Sequence, residues 1–174
     1  KTGMLYSPDI VRTVADKVKE YELQLVVDPV ITAGSGDILS GEGYVDALKK
    51  KLLPLALLAT PNIHEAQSIS GVTIDNEEDA IEAALKIGKY CNVVVTGGHL
   101  KGNDVYYDGS VEVFKGELLE TENTHGSGCT YSAAITAYLV KGNSLKDSIK
   151  KAGIFTKNSI KHGGNGTLNQ FWQI

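Results

Sequence analysis

The chain has 174 residues, of which 42% are hydrophobic and 22% charged, which is enough for one folded domain over residues 1–174 with a substantial core. A net charge of −4 without a basic block argues against nucleic acid or an anionic membrane surface as partner, and no apolar run is long enough to span a bilayer. Cys91 and Cys129 have neither disulfide nor metal-ligand spacing, which fits a reducing cytoplasm.

The first predicted elements are a strand and a helix. Residues 1–6 (KTGMLY) read as the interior of a buried strand, and no initiator methionine precedes them, so we expect the C-terminal portion of a longer protein. Ser7, Pro8 and Asp9 then form a helix start, with an N-cap, a proline at the first helical position and an acidic first turn. The helix is predicted to reach about Tyr21. Its predicted buried stripe consists of Ile10, Val11, Val14, Val18 and Tyr21.

A second buried strand is predicted at residues 23–30, and it contains Asp28 followed by Pro29. A carboxylate at the C-terminal end of a parallel strand lies where open α/β sheets bind ligands, but an aspartate before proline is also a common turn residue. Both interpretations of Asp28 stay open. Residues 32–43 contain four glycines and are long for a strand-to-helix turn, which predicts a mobile loop over a ligand.

Two polar residues follow the next strand. A helix is predicted over residues 44–53 and a buried strand over residues 55–60. Asn62 and Glu65 come next, at the start of another helix, where they can face one ligand with Glu65 offering oxygen to Mg²⁺ or its waters. The same spacing fits a capping box, with asparagine as N-cap and glutamate at N3. The sequence favours the capping box at least as strongly as the ligand role.

The middle of the chain predicts a helix, a strand and a hairpin. Residues 76–90 have an asparagine cap and helical spacing, and residues 91–96 read as a strand that ends in the sequence GGH at residues 97–99. The two glycines allow a close approach of the backbone at the end of that strand. Residues 105–113 predict a β-hairpin around an Asp-Gly turn.

The most informative stretch is NTHGSGCT at residues 123–130, which we name the glycine turn and which leads into a small-residue helix at residues 131–140. Because Gly126 and Gly128 lack Cβ atoms, backbone N–H groups can turn toward a ligand at the helix start. A helix start offers unpaired donors and the positive end of a dipole, which suit a phosphate and favour the thiolate form of Cys129. A plain glycine-rich connection is the competing interpretation, and neither common nucleotide-binding motif is present.

A last helix is predicted over residues 145–162, so strands and helices alternate through most of the chain. This pattern predicts an α/β fold with a mainly parallel sheet flanked by helices. Every polar or glycine-rich cluster follows a strand, so we expect these clusters to gather at one edge of the sheet. They are Asp28, Asn62, Glu65, Gly97, Gly98 and the glycine turn. Their shared placement favours a functional site.

These stretches, in this order, resemble the ribokinase-like superfamily, and most closely its hydroxymethylpyrimidine/phosphomethylpyrimidine kinases of thiamine synthesis. The matching stretches are KTGML at residues 1–5, DPV at 28–30, TPNIHEA at 60–66, GGH at 97–99 and THGSGCT at 124–130. The last is the most specific, because the pyrimidine kinases carry Cys where most relatives carry Asp. The resemblance implies a ribokinase-like fold whose N-terminal part is missing.

The same resemblance implies transfer of the γ-phosphoryl group of ATP, with Mg²⁺, to the hydroxymethyl group of a pyrimidine and then to its monophosphate. By match, Cys129 faces the acceptor oxygen as general base or aligning group. The backbone N–H groups of Gly126, Ser127, Gly128 and Cys129 would form an anion hole for the transferring group. This role agrees with the helix-start chemistry, because phosphoryl transfer is catalysed mainly by positioning and charge stabilisation.

The resemblance places Asn62, Thr96 and Gly98 at the nucleotide and Glu65 at Mg²⁺. One of these positions departs from the family, which usually has lysine where this chain has Thr96. The positive charge that reaches phosphate in relatives is therefore absent here, and we expect an effect on rate or on nucleotide affinity.

Met4 and Asp28 match substrate-binding positions, Met4 against the pyrimidine and Asp28 near the phosphates. Family members are longer than this chain, and their N-terminal part usually supplies a glycine-rich strand end, a flap over the substrate and most pyrimidine contacts. We therefore expect the chain to hold the phosphoryl-transfer residues, with the missing N-terminal segment of the same fold as its partner and a homo-oligomer as its assembly.

Three other functions stay open. Some relatives with the cysteine in the glycine turn accept pyridoxal, so a pyridoxal kinase is a close alternative. A non-catalytic ligand-binding or regulatory module is favoured by Thr96 and by the missing N-terminal part. A hydrolase built on Cys129 and His125 is favoured least, because no third residue orients the pair.

Overall fold

The structure is a computed structural model that describes residues 1–32, 39–98, 100 and 102–173, and these contain six α-helices and five β-strands. They form two compact units, which we name the N-terminal unit (residues 2–118) and the C-terminal unit (residues 119–174, with which Lys1 is grouped). The expectation of one domain over residues 1–174 stays a prediction. No helix among the described residues is long and apolar enough to cross a membrane.

The N-terminal unit is built on a five-stranded sheet in the order β1-β2-β3-β4-β5. The first three strands are parallel: β1 (Val26–Val27), β2 (Leu58–Ala59) and β3 (Asn92–Val95). The predicted hairpin, β4 (Asp104–Tyr107) and β5 (Val111–Phe114), extends the sheet with antiparallel pairing. Parallel strands joined by helices and closed by a hairpin confirm the predicted α/β fold class.

Four α-helices belong to this unit, and their starts follow local capping rules. They are α1 (Pro8–Glu20), α2 (Tyr44–Ala47), α3 (Ile63–Ser70) and α4 (Glu77–Ile87). The Ser7 hydroxyl accepts a hydrogen bond from the Ile10 amide at 3.3 Å, and the Asn76 side chain accepts one from the Asp79 amide at 3.0 Å. Each cap satisfies a backbone donor that has no partner inside the helix, which fixes where the helix begins.

The helix predicted over residues 44–53 is present but changes its winding. After α2 the chain forms a π-helical turn (Leu48–Leu52) and then a 3₁₀ turn (Leu53–Leu55). Pro54 explains the change, because proline has no amide hydrogen and cannot donate to a carbonyl of the preceding turn. In the turn before the proline, the Leu53 amide donates to the Leu48 carbonyl, five residues back, where an α-helix would use the carbonyl four residues back.

Helix α1 buries a narrower face than the sequence predicts. Val11, Ala15 and Val18 are buried, whereas Ile10 and Tyr21 are 45% and 62% exposed. These two residues lie about 80–100° around the helix from the centre of the buried face, since each residue advances by about 100°. Their assignment to the buried stripe was therefore wrong.

The two strands predicted nearest the N-terminus are shorter than expected. Residues 1–6 contribute only a parallel bridge from Thr2 to Val27, and β1 keeps two of the eight predicted residues, 23–30. The chain leaves the extended conformation at Tyr6, where φ is 61°. Met4, Tyr6 and Leu23 are more than half exposed, which corrects the prediction of buried strands there.

The C-terminal unit is a helical pair. Helix α5 (Ser127–Val140) and helix α6 (Leu145–Lys161) confirm the two helices predicted in this region. The Ser144 hydroxyl caps α6 by accepting the Asp147 amide at 3.1 Å. The buried residues of the pair are mostly small or β-branched, which allows the two helices to approach closely.

Candidate functional site

The capping box at the start of α3 is present. The Asn62 side-chain oxygen accepts the Glu65 amide at 2.9 Å, and Glu65 Oε2 accepts the Asn62 amide at 2.9 Å. The other carboxylate oxygen, Oε1, accepts the Ile31 amide at 3.3 Å. The Glu65 side chain therefore joins the start of α3 to the segment that follows β1, a connection across 34 residues of sequence.

Asp28 and Glu65 form a buried carboxyl pair at the ends of β1 and β2, with 5% and 3% of their surfaces exposed. The pKa of Glu65 is raised to about 7, chiefly by burial and also by the Asp28 carboxylate, while the hydrogen bonds from the Asn62 and Ile31 amides oppose the rise. Two carboxyl groups with this little solvent favour a compensating positive charge.

These groups fit a hydrated Mg²⁺ better than a metal cage made of protein side chains. Among the described residues, no cluster of three or more His, Cys, Asp or Glu side chains could hold a metal ion. Mg²⁺ usually keeps several waters and binds one or two carboxylates together with substrate phosphates. Glu65, with Asp28 beside it, offers that number of carboxylates.

Tyr44 is a third member of this region that the sequence did not reveal. Its side chain is 1% exposed, and its hydroxyl has no hydrogen-bond partner within the described part of the chain. Burial, together with the Glu65 and Asp28 carboxylates, raises the pKa of Tyr44 to about 12. As the first residue of an amphipathic helix, it gave no signal that it would lie near two carboxyl groups.

Thr96 lies directly beside Asn62 at the end of β3. The two residues form an isolated parallel bridge, in which the Thr96 amide donates to the Pro61 carbonyl at 2.9 Å and the Thr96 hydroxyl lies 3.5 Å from the same oxygen. The structure therefore brings Asp28, Asn62, Glu65 and Thr96 together at the carboxyl ends of the three parallel strands.

The turn that follows Thr96 is held tightly on one side. The Gly97 amide donates to Asp104 Oδ1 at 3.0 Å, and the Gly97 carbonyl accepts the amides of Leu100 and Gly102 at 2.7 and 3.0 Å. A Cβ atom on Gly97 would lie 1.5 Å from the Asn103 carbonyl oxygen. Only glycine fits this close approach of two backbone segments.

Gly98 has the opposite environment. It is exposed, and a Cβ atom placed on it would meet no atom within 4 Å. The turn is thus anchored through Gly97 and open at Gly98. His99 of the GGH sequence, like residues 33–38 of the predicted loop, lies outside the described residues.

Met4 lies near the end of β1. The Asp28 amide donates to the Thr2 carbonyl at 3.2 Å, so the segment that carries Met4 runs beside the strand that carries Asp28. The Met4 side chain is 56% exposed.

In the C-terminal unit, the glycine turn leads into α5 with an accessible first turn. Gly126 is the N-cap, with φ of 88°, and its carbonyl accepts the Thr130 amide at 2.9 Å. The Ser127 amide donates to the Thr124 carbonyl at 3.1 Å. Gly128 and Cys129 are both exposed in the first helical turn. The Cys129 side chain therefore lies at the positive end of the α5 dipole.

The C-terminal tail supports the glycine turn through contacts that the sequence did not predict. The Asn123 side-chain oxygen accepts the Gly166 amide at 2.9 Å, and the Gly166 carbonyl accepts the His125 amide at 3.2 Å. The Gln170 side chain donates to the Thr130 hydroxyl at 3.2 Å. The GGNG sequence at residues 163–166 was the available signal, but the sequence does not say which segment such a loop contacts.

Comparison with known proteins identifies relatives along the whole chain. The family described as phosphomethylpyrimidine kinase matches residues 1–170. Pyridoxine kinase of Bacillus subtilis is 43% identical over 183 residues, covering 98% of this chain and 66% of that protein. A hydroxymethylpyrimidine/phosphomethylpyrimidine kinase of Staphylococcus aureus is 38% identical over 186 residues, covering 98% of this chain and 67% of that protein.

Solved structures give the same result. An ADP complex of Bacillus subtilis pyridoxal kinase superposes with a TM-score of 0.83 at 41% identity, covering 92% of this chain and 62% of that one. A Staphylococcus aureus pyridoxal kinase with AMP-PCP superposes with a TM-score of 0.84 at 35% identity, covering 94% and 62%. The chain therefore spans about two thirds of the length of these relatives.

Proposed function

The chain belongs to the phosphomethylpyrimidine kinase family, and we propose that it carries the phosphoryl-transfer residues of an ATP-dependent vitamin kinase. The proposed acceptor is 4-amino-5-hydroxymethyl-2-methylpyrimidine and then its monophosphate, as in thiamine biosynthesis. The observation that carries the proposal is the exposed Cys129 in the first turn of α5. That turn begins directly after Gly126, the N-cap, whose backbone is left-handed. This is the position at which the pyrimidine kinases place their cysteine.

Phosphoryl transfer needs donors aimed at the charge that develops on the transferring group. The amides of residues 127–129 occupy the first positions of α5, where the helix itself offers no carbonyl to accept them. We assign these amides, with that of Gly126, to the anion hole. The Ser127 amide already donates to Thr124, so a bound phosphoryl oxygen would share or replace that bond.

Cys129 is the proposed catalytic residue at the acceptor oxygen. As a general base it would take the proton of the substrate hydroxyl, and as an aligning group it would hold that hydroxyl in line with the γ-phosphate. The dipole of α5 favours the thiolate that the first role requires.

The N-terminal unit supplies the proposed nucleotide and metal residues. Asn62, Thr96 and Gly98 would contact the nucleotide, and Glu65 with Asp28 would hold Mg²⁺ through oxygen ligands or bound water. When bound, Mg²⁺ neutralises charge on the phosphate oxygens. Thr96 supplies a hydroxyl where relatives supply an ammonium group, so we expect weaker nucleotide binding than in lysine-containing relatives.

The proposed substrate-side residues in this chain are Met4, against the pyrimidine, and Asp28, near the phosphates and beside the Mg²⁺ position. Because the chain spans about two thirds of its relatives' length, we propose that further acceptor contacts come from an N-terminal segment of the same fold. A homo-oligomer remains our expectation for the assembly.

A pyridoxal kinase is the second candidate. It is supported by the 43% identity to a pyridoxine kinase and by the superposition on pyridoxal kinase structures. Both activities use the same phosphoryl-transfer chemistry, so only the acceptor distinguishes them.

The test measures ADP formation from Mg-ATP by the full protein with the pyrimidine alcohol, its monophosphate or pyridoxal as acceptor. We expect Cys129→Ala to lower kcat by about 100-fold or more, the usual contribution of a general base. Cys91→Ala is the matched control, because burial raises the pKa of Cys91 to about 12 and keeps that thiol protonated. Nucleotide binding without turnover on any acceptor would refute the kinase and favour a ligand-binding module.

A further inference from the structure

We propose that Asp104 is a positioning residue for the bound nucleotide, because its carboxylate holds the Gly97 amide and thereby presents the open side of Gly98 to phosphate. The inference rests on the nucleotide-binding role proposed above for Thr96 and Gly98. It assigns a function to the first residue of β4, which no sequence motif had singled out.

The sheet register places Asp104 where it can do this. β3 and β4 are antiparallel with Val95 opposite Val105, so Asp104 comes opposite the residue that follows β3, Thr96. Its carboxylate reaches one residue further and accepts the Gly97 amide at 3.0 Å. A hydrogen bond to an ionised acceptor is among the stronger ones in proteins, which suits a group that must fix a turn.

Asn103 holds the other end of the same connection. Its side-chain nitrogen donates to Glu77 in the first turn of α4 at 2.8 Å, and its side-chain oxygen accepts the Gly116 amide, beyond β5, at 3.2 Å. Its carbonyl packs so closely on Gly97 that no side chain fits there. Asn103 therefore connects the Gly97 turn to a helix and to the chain after the hairpin.

These contacts divide the turn into a fixed side and an open side. Gly97 is buried and hydrogen-bonded through both its amide and its carbonyl. Gly98 is exposed, and a Cβ atom added to it would have no atom within 4 Å. Without the bond to Asp104, the Gly97 amide would have to find another acceptor, and the Thr96–Gly97 peptide that leads into Gly98 could rotate. Preorganised backbone binds phosphate better than backbone that must be ordered on binding.

The test compares four forms of the full protein: wild type, Asp104→Ala, Asp104→Asn and Asp108→Ala. Asparagine keeps an oxygen acceptor for the Gly97 amide. Asp108 is a matched control on the same hairpin, because its carboxylate accepts the hydroxyls of Tyr106 and Ser110 at 3.1 and 3.2 Å, away from the turn. The readouts are the Kd of ADP by calorimetry, the KM for ATP, kcat and the unfolding midpoint.

We expect Asp104→Ala to raise the Kd of ADP and the KM for ATP about tenfold, the effect of losing one charge-assisted hydrogen bond, with kcat within about twofold. Asp104→Asn should restore most of the affinity, and Asp108→Ala should leave it unchanged. If Asp104→Ala does not fold, Asn103→Ala replaces it and should weaken ADP binding in the same direction.

Wild-type affinity in a folded Asp104→Ala or Asn103→Ala protein would overturn the inference, as would equal losses in Asp104→Asn or Asp108→Ala. A wild-type protein that binds no ADP would instead refute the proposed nucleotide site itself. The two failures are therefore distinguishable, because the second is visible before any variant is made.

Discussion

The two units carry their proposed functional residues in opposite local environments. In the N-terminal unit, Glu65 is 3% exposed and Gly97 is buried, and each makes several hydrogen bonds to the surrounding fold. In the C-terminal unit, Gly128 and Cys129 lie exposed in the first turn of a helix. The first group is therefore coupled to folding stability, whereas substitutions in the second group should have little effect on stability and a large effect on chemistry.

The largest expected effect compares two neighbouring glycines of one turn. Gly97→Ala should lower the free energy of unfolding by about 3 kcal/mol or more, because its Cβ would lie 1.5 Å from the Asn103 oxygen and the backbone must move. Gly98→Ala has open space and should cost less than about 1 kcal/mol. Urea unfolding measures both. Equal losses in the two variants would contradict the division of the turn into a fixed and an open side.

The second prediction concerns the pH dependence of stability. The folded pKa of Glu65, about 7, lies above its ordinary value of 4.5, so the folded state binds more protons between these pH values. The contribution of Glu65 to the free energy of unfolding should therefore be largest below about pH 4.5. It should fall by about 3 kcal/mol in total as the pH rises to about 7.

Unfolding in metal-free buffer with chelator, from pH 4.5 to 8, checks this prediction. Glu65→Gln cannot ionise, so its stability should vary less over this range, although the amide loses one of the two backbone hydrogen bonds. An identical slope in wild type and variant would show that another group dominates. Added Mg²⁺ should flatten the wild-type slope if the carboxylate binds the ion.

The starts of two helices can be compared directly. Asn62→Ala removes the side-chain oxygen that accepts the Glu65 amide in a part-buried capping box, and should cost about 1–2 kcal/mol. Asn76→Ala, at the start of α4, removes a simple cap without a reciprocal carboxylate and should cost about 1 kcal/mol or less. Thermal unfolding resolves the difference. A larger loss at Asn76 would mean that the burial of the Asn62 cap adds nothing.

Sequence rules succeeded where the determining contacts are local. Ser7 and Asn76 cap helices as predicted, and Asn62 forms the capping box that was one of its two interpretations, since a cap bonds an amide two or three residues away. The Asp-Gly hairpin was predicted for the same reason. Most of the α/β fold follows from these local signals.

The rest depends on contacts between distant segments. The bond from Ile31 to Glu65 spans 34 residues, and the Asp104–Gly97 bond depends on the register of a strand pair. The spacing of residues along the chain does not predict either contact. The predictions of long N-terminal strands were wrong for a related reason, because an apolar composition does not show that the backbone turns away at Tyr6.

The fourth prediction concerns the buried hydroxyl beside the carboxyl pair. Tyr44→Phe removes a hydroxyl that has no hydrogen-bond partner in the described ranges, so it should raise the free energy of unfolding by about 1 kcal/mol. Tyr106→Phe is the control, because the Tyr106 hydroxyl donates to Asp108 at 3.1 Å and its loss should destabilise the protein. A loss of stability in Tyr44→Phe would show that the hydroxyl is hydrogen-bonded in solution.

The smallest change in stability is expected at Gly128. A substitution there should also separate stability from function most clearly, because the two should change in opposite directions. The residue lies in the first turn of α5 and has open space at its Cβ position, so Gly128→Ala should raise the free energy of unfolding by about 0.5 kcal/mol, the gain in helix propensity. The added methyl group would stand beside the amides assigned to the anion hole, so kcat should fall by about tenfold or more. Ala133→Gly, a swap in the opposite direction at an exposed position about one and a half turns further along α5, is the control for helix propensity alone. It should lower stability slightly and leave kcat unchanged. A Gly128→Ala protein with full activity would show that the phosphoryl group does not approach this turn.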